Sequence, residues 1–141
     1  MVAQGQLQLI GPDILDLEEH RRTRPSSMSL RDVARWARSR LPAISRVTGV
    51  PQRSELFVML QAVKLSEEVG ELQAEVLGAL KLQRSNKEQP YDASSLAAEL
   101  ADVILTTAVL SAVMDVDLSS AVSAKMDSVE AKMASAASRS R

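Results

Sequence analysis

Cysteine is absent from the 141-residue chain. Without thiols the protein cannot form disulfides, zinc–thiolate sites or iron–sulfur clusters, and it has no cysteine nucleophile. Aromatic residues are scarce as well, at 2% of the composition, and the net charge is only −1. A groove for nucleic acid needs a basic surface and, for single strands, stacking aromatics. We therefore expect no nucleic-acid polymer among the partners.

Glycine and proline are also few, with five of each, and alanine, leucine, valine, serine and methionine dominate the composition. This profile favours helices packed on helices over a β-sandwich. The longest uncharged apolar-rich run, residues 103–114, is too short to span a bilayer. The opening MVAQGQLQLIGPD lacks the basic and apolar parts of a secretory signal. These absences and the lack of cysteine predict a cytoplasmic protein that does not engage a membrane.

Four helices are predicted, and four helices with short connections form a bundle. Apolar periodicity indicates the second over about 53–82 and the third over about 93–114. The third is apolar almost all round, so we expect it to be buried, in part against a second subunit. The chain then divides into an irregular N-terminal arm, a helical domain and a frayed C-terminal tail, over residues 1–27, 28–135 and 136–141.

The sequence also predicts where the outer helices begin. Ser29-Leu30-Arg31-Asp32 matches a capping box at the start of the first helix, and Pro42 is expected to kink or end that helix. Asp117 is the expected N-cap of the fourth helix. An apolar stripe follows in that helix, made of Val122, Met126, Val129 and Met133.

The stretch KLSEEVGELQAEV, residues 64–76, crowds four glutamates into the second helix: Glu67, Glu68, Glu71 and Glu75. On a helical wheel they lie away from an apolar stripe. That stripe consists of Val58, Ala62, Leu65, Val69, Leu72, Val76 and Leu80. Taken alone, the glutamates are typical of a solvated helix face. Gly70, among them, lowers helix stability relative to alanine, a cost that either serves the close approach of a neighbouring helix or is simply tolerated.

The third helix changes this interpretation. Glu99 and Asp102 are its only charged residues between Leu96 and Met114, and their spacing of three puts them on one face. Two carboxylates in apolar surroundings are costly unless a cation compensates them. The third helix has no lysine or arginine. A divalent metal ion held by acids of both helices would solve the problem.

The choice of metal follows from the available ligands. The only histidine, His20, lies in the predicted arm, so the Glu-x-x-His spacing of di-iron bundles is absent. An all-oxygen site suits Mg²⁺, with Mn²⁺ as an alternative. Mg²⁺ held by carboxylates also takes water and substrate phosphates, which indicates chemistry on a phosphate ester or anhydride.

At this point the residues resemble a known family. Glu68-x-x-Glu71, followed after 27 residues by Glu99-x-x-Asp102, is similar to the ExxE…ExxD signature of the MazG-like all-α nucleoside triphosphate pyrophosphohydrolases. LSEEVGEL at 65–72 and AAELADVI at 97–104 resemble that family's second and third helices. VDLSSAVSAKM at 116–126 resembles the segment that follows. The resemblance covers roughly residues 30–133.

The resemblance implies an activity and a fold. Family members hydrolyse a nucleoside triphosphate between its α and β phosphates, giving the monophosphate and pyrophosphate. By this likeness Glu68, Glu71, Glu99 and Asp102 would hold Mg²⁺, and Glu67 would orient or deprotonate the attacking water. The implied fold is a four-helix bundle completed by assembly into a homodimer or homotetramer. Removal of non-standard or surplus deoxynucleotides is a further implied role.

Three residues are candidates for substrate binding. Lys64 precedes Glu68 by one turn, where it can bind substrate or pair with Glu68. Lys125 matches a phosphate-binding lysine of the family, although the usual K-x-x-x-N-x-x-R pattern is broken by Val129 and Lys132. Trp36 can stack on a base or pack in the core. Three arginines of the first helix, on one face, offer positive charge or form a solvated surface: Arg31, Arg35 and Arg38.

Two alternative functions remain at this stage. Phosphoribosyl-ATP pyrophosphohydrolase shares the implied fold, but this chain is somewhat long for that enzyme and its arm is unlike it. A helical interaction module without catalytic activity would have no reason to keep both Glu99 and Asp102 in an apolar helix. The changes at Val129 and Lys132 favour such a module mildly.

Overall fold

The computed structural model describes residues 27–82 and 93–139, and within these residues every regular element is a helix. The four helices are α1 (Leu30–Thr48), α2 (Glu55–Ala79), α3 (Ala93–Val113) and α4 (Leu118–Arg139). The predicted all-α class is confirmed. Nearly all of the predicted N-terminal arm, and the connection between α2 and α3, lie outside the described residues.

The predicted start of α1 is confirmed by its capping contacts. Asp32 N donates to Ser29 Oγ at 3.2 Å, and Ser29 N donates to Asp32 Oδ2 at 3.0 Å. These two bonds satisfy backbone donors that the first turn leaves without partners. Pro42 does not end the helix, which continues to Thr48. Gly49 then terminates α1 with a left-handed φ of 68°, a conformation that suits glycine.

Helices α2 and α4 also begin at side-chain caps. Ser54 Oγ accepts a hydrogen bond from Phe57 N at 3.2 Å, so α2 starts at Glu55. Asp117 is confirmed as the cap of α4, since its carboxylate accepts bonds from Ser120 N at 3.0 Å and Ser120 Oγ at 2.8 Å. Each carboxylate or hydroxyl replaces a missing backbone partner in the first turn of its helix.

The core lies where α1, the beginning of α2 and the C-terminal half of α3 meet. Its buried members are all apolar: Val33, Ala37, Ile44, Phe57, Ala108 and Val109. Small residues on α3 let α1 come close to it. Helix α3 packs against both α1 and α2, and α4 contacts α1. The core therefore stabilises one end of the α2–α3 pair, while the acidic residues lie farther along the same two helices.

The single chain leaves two apolar surfaces partly exposed, and burial of the third helix against a second subunit stays a prediction. The apolar stripe of α2 is at most half-buried, with Leu80 exposed at 62%, and the buried side chains of α2 are Phe57, Gln61 and Glu68 instead. Helix α3 is not enclosed either, since Ile104 is exposed at 51%. The reason is geometric, because α1 and α2 cover only part of an apolar helix.

Helix α4 has no buried residue among those described, and its apolar stripe is exposed from Val122 to Met133. Helix α3 is long and apolar enough, by length and composition, to cross a membrane. One such helix is weak evidence, because the core helix of a soluble protein passes the same test. In this fold α3 carries Glu99 and Asp102 and packs on two other helices.

Candidate metal centre

The packing of α2 against α3 brings acids of the two helices together. One carboxylate oxygen each from Glu68, Glu71 and Glu99 can be chosen so that all three lie within 4.8 Å of one another. Glu68 and Glu71 share a face of α2 because they are three residues apart, and Glu99 and Asp102 share a face of α3 for the same reason. Asp102 stands outside the closest group but is half-buried beside it.

Glu68 is the central residue of this centre, because its side chain has no solvent exposure. Its Oε1 lies 2.8 Å from Lys64 Nζ. Its Oε2 is buried and accepts no hydrogen bond from the described residues, and the same is true of Glu99 Oε2. A buried carboxylate oxygen without a partner costs free energy. These two oxygens therefore have unused capacity to bind a cation.

The surrounding acids titrate above their ordinary range. Burial, followed by the charges of Glu71 and Asp102, raises the pKa of Glu99. Burial and the charge of Glu68 raise the pKa of both Glu71 and Asp102, and the ammonium of Lys64 opposes the rise at each. Carboxylates crowded in a partly dry space repel each other and hold protons more tightly.

Lys64 is the one described cation that the structure pairs with these acids. Its Nζ lies 2.8 Å from Glu68 Oε1 and 3.0 Å from Glu67 Oε2, and 21% of its side chain is exposed. Burial alone would lower the pKa of the Lys64 ammonium, but the contacts with Glu68 and Glu67 outweigh it and raise that pKa. The pairing that the sequence offered as one alternative is therefore present.

These residues fit a hard divalent cation. Among the described residues one ammonium, that of Lys64, contacts this group, at Glu68 and Glu67, so the carboxylates of the centre outnumber it. The donors are all carboxylate oxygens, which suit Mg²⁺ or Mn²⁺. The two buried oxygens without partners belong to Glu68 and Glu99, one on each helix, so a shared cation would also join α2 to α3.

The two remaining glutamates of the 64–76 stretch, Glu67 and Glu75, lie in different surroundings. Glu67 lies at the edge of the centre, with 53% of its side chain exposed, and touches Lys64. Glu75, one of the four glutamates that the sequence of α2 alone placed on a solvated face, is half-buried, and its charge contributes to the raised pKa of Glu99. The spacing of four between Glu71 and Glu75 could have shown this, since it places both on one face.

The other candidate residues lie elsewhere. Trp36 packs against the apolar core, and Lys125 lies in the exposed part of α4. The three arginines of α1 line a cavity of about 450 Å³ with the start of α4. There Arg38 donates two bonds of 3.1 Å to Asp115. Along α3 the lining begins at Ser111, which helical rise puts about 14 Å from Asp102, so this cavity is separate from the acids.

Gly70 does not meet a neighbouring helix in the described chain, since an added Cβ would have nothing within 4 Å.

Comparison of the whole chain with protein-family models, curated proteins and solved structures finds no match. A function must therefore be inferred from the chemistry of the side chains that α2 and α3 bring together.

Proposed function

We propose that the protein is a Mg²⁺-dependent nucleoside triphosphate pyrophosphohydrolase, which cleaves an NTP or dNTP to the monophosphate and pyrophosphate. The observation that carries the proposal is Glu68. It is fully buried, its Oε2 has no hydrogen-bond partner in the described chain, and it lies beside oxygens of Glu71 and Glu99. Since a second helix supplies part of this acidic group, a solvated helix face does not account for it.

Four acids would hold the metal: Glu68, Glu71, Glu99 and Asp102. Bound there, Mg²⁺ would neutralise charge on the phosphates and make an attacking water more acidic. The four carboxylates would fix the position of the polyphosphate relative to α2 and α3. The complete burial of Glu68 would strengthen its electrostatic contact with a bound cation.

Glu67 is the proposed general base. Its side chain is half exposed and adjoins the buried acids, so it can reach a water at the open edge of the centre. A carboxylate there would orient that water and accept its proton. Lys64, which touches both Glu67 and Glu68, is the proposed contact for phosphate oxygens, with Lys125 and Trp36 as further candidates for phosphate and base.

The choice of an α–β cleavage rests on the likeness of Glu68-x-x-Glu71 and Glu99-x-x-Asp102 to the ExxE…ExxD signature. The close approach of the two motifs supports that likeness, because the signature requires them to act as one centre. A non-catalytic helical module would gain nothing from a buried carboxylate that lacks a compensating partner.

The proposal is tested by the products. We expect the protein with Mg²⁺ to release pyrophosphate and monophosphate in equal amounts from at least one member of a panel of NTPs and dNTPs. Glu68→Gln, which keeps the size of the side chain, should abolish release, and Glu67→Gln should lower it by about 10²–10⁴-fold. Glu130→Gln, on the exposed part of α4, is the matched control. Release of orthophosphate alone, or full activity of Glu68→Gln, would overturn the proposal.

A further inference from the structure

Lys64 occupies the position where a cation is most needed. Its ammonium lies 2.8 Å from Glu68 Oε1 and 3.0 Å from Glu67 Oε2, so one lysine touches the central proposed ligand and the proposed base together. Its side chain is mostly covered, with 21% exposed. A contact with phosphate alone does not require this lysine to pair with a proposed metal ligand.

The charges explain why this contact forms. Glu68 cannot be hydrated, because its side chain has no exposure, and a buried carboxylate needs a nearby positive charge. Lys64 lies one helical turn before Glu68, at the i,i+4 spacing that brings lysine and glutamate side chains together. The lysine therefore compensates Glu68 in the protein that the structure describes.

We propose that Lys64 is an internal counterion that couples metal loading to phosphate binding. Its ammonium stays beside Glu68 Oε1 until a divalent cation binds the carboxylate and repels it, and the released ammonium then binds the polyphosphate. This inference rests on the proposed function, but it concerns the order and coupling of two binding events. The chemical class of the second ligand is a diphosphate or triphosphate group.

The side chain of lysine suits both roles, as the partner of Glu68 and as the contact for phosphate. Its ammonium is a compact charge on a flexible four-carbon stem, so it can leave Glu68 without a change in the helix backbone. The edge of the centre is open beside Glu67, whose side chain is 53% exposed. An incoming phosphate group at that edge would meet the released ammonium within reach of its stem.

Coupling has two consequences of opposite direction. Mg²⁺ at Glu68 would be repelled by the ammonium of Lys64, which lies 2.8 Å from Glu68 Oε1, so the lysine weakens binding of the metal alone. Once the metal is bound, the free ammonium strengthens binding of phosphate. A lysine that only stabilised α2 would have neither effect, because its removal would not change two affinities in opposite directions.

The experiment uses calorimetry on the full chain, with no catalytic readout. The Kd for Mg²⁺ alone is measured first, and the Kd for inorganic pyrophosphate at saturating Mg²⁺ second. For Lys64→Met we expect Mg²⁺ to bind at least about fivefold more tightly and pyrophosphate at least about fivefold more weakly, the lower end of typical coupling. Lys81→Met removes the same charge from the exposed end of α2 and should change neither value.

A second variant covers the case in which Lys64→Met does not fold without metal. Lys64→Gln keeps a hydrogen-bond donor for Glu68 but removes the charge, and the same two shifts are expected. If the wild type binds Mg²⁺ and neither variant binds it more tightly, the counterion role is overturned while the metal centre stands. If the wild type binds no Mg²⁺, both this inference and the proposed function are overturned.

Discussion

Glu68 shows how the meaning of one residue depends on a second helix. Within α2 it is one of four glutamates on a polar flank, and a helical wheel leaves it in solvent. The structure buries it completely, because α3 packs over that flank. In the sequence, only Glu99 and Asp102 indicated that Glu68 is buried, because two acids in an apolar helix suggest a shared site with α2. Glu68 contacts Lys64, and Glu75 influences the pKa of Glu99. Both effects depend on where the side chains lie, which residue spacing in the sequence does not define.

Glu99→Gln should separate stability from metal binding. In the metal-free protein this change removes a carboxylate that is repelled by Glu71 and Asp102, so we expect the free energy of unfolding at pH 7.5 to rise by about 0.5–1 kcal/mol. Added Mg²⁺ should then stabilise the variant far less than the wild type. Urea unfolding with and without Mg²⁺ measures both effects. A less stable metal-free variant would contradict the repulsion.

The pH dependence of the metal-free protein follows from the same acids. The pKa values of Glu71, Glu99 and Asp102 are raised above their ordinary values of 4.5, 4.5 and 3.8. The folded state therefore holds protons that the unfolded state has released. Their stabilising contribution is present below the ordinary values and is lost as the pH rises through the raised ones.

We therefore expect the free energy of unfolding to fall between pH 4.5 and pH 8 without metal, and to fall less in Glu99→Gln. The difference between the two proteins isolates the site from other titrating groups. With Mg²⁺ the trend should reverse, because protons and metal compete for the same oxygens. Thermal unfolding across this range at fixed ionic strength tests it. Parallel curves for wild type and variant without metal would count against it.

At the scale of the helices, the sequence predicts where a helix begins better than which of its faces is buried. The caps at Ser29 and Asp117 are local, since each side chain bonds to a backbone group three residues away, so sequence spacing alone identifies them. Which face of α2 is buried depends on α3, and nothing within α2 determines that contact. For this reason the sequence of α2 alone left the acidic flank in solvent, whereas the structure covers it at Glu68.

Ser54→Ala tests the cap of the helix that carries the metal centre. Loss of the bond from Phe57 N should lower the free energy of unfolding by about 1 kcal/mol. The Kd for Mg²⁺ should not change, because Glu68 lies about 20 Å farther along α2. The matched control is Ser66→Ala in the middle of the same helix, where alanine is the better helix former and stability should hold or rise. Equal losses in both variants would contradict the cap.

At the scale of the molecule, one chain leaves too much apolar surface in water. Val122, Met126, Val129 and Met133 are exposed at 37–67% along α4, and Leu100 and Ile104 are exposed on α3. Helices in proteins gain most of their stability from packing an apolar face, and α4 buries no residue in the described chain. We propose that a second copy covers these faces in a homodimer or homotetramer.

Light scattering should therefore give the mass of two or four chains for the wild type. Val129→Lys places a charge in the middle of the exposed stripe of α4 and should shift the protein toward the monomer. Ser128→Lys adds the same charge to the neighbouring position outside the stripe and should leave the mass unchanged. A wild-type monomer of 15.3 kDa at all concentrations would rule out assembly.

The number of metal ions that the acids bind tests the proposed metal centre most directly. Mn²⁺, which prefers the same oxygen ligands as Mg²⁺, can be titrated into the protein and its free fraction measured by electron paramagnetic resonance. We expect at least one bound Mn²⁺ per wild-type chain, displaced by excess Mg²⁺, and a loss of this binding in Glu68→Gln but not in Glu130→Gln. Equal Mn²⁺ binding by wild type and Glu68→Gln would contradict the proposal that this buried carboxylate is a metal ligand.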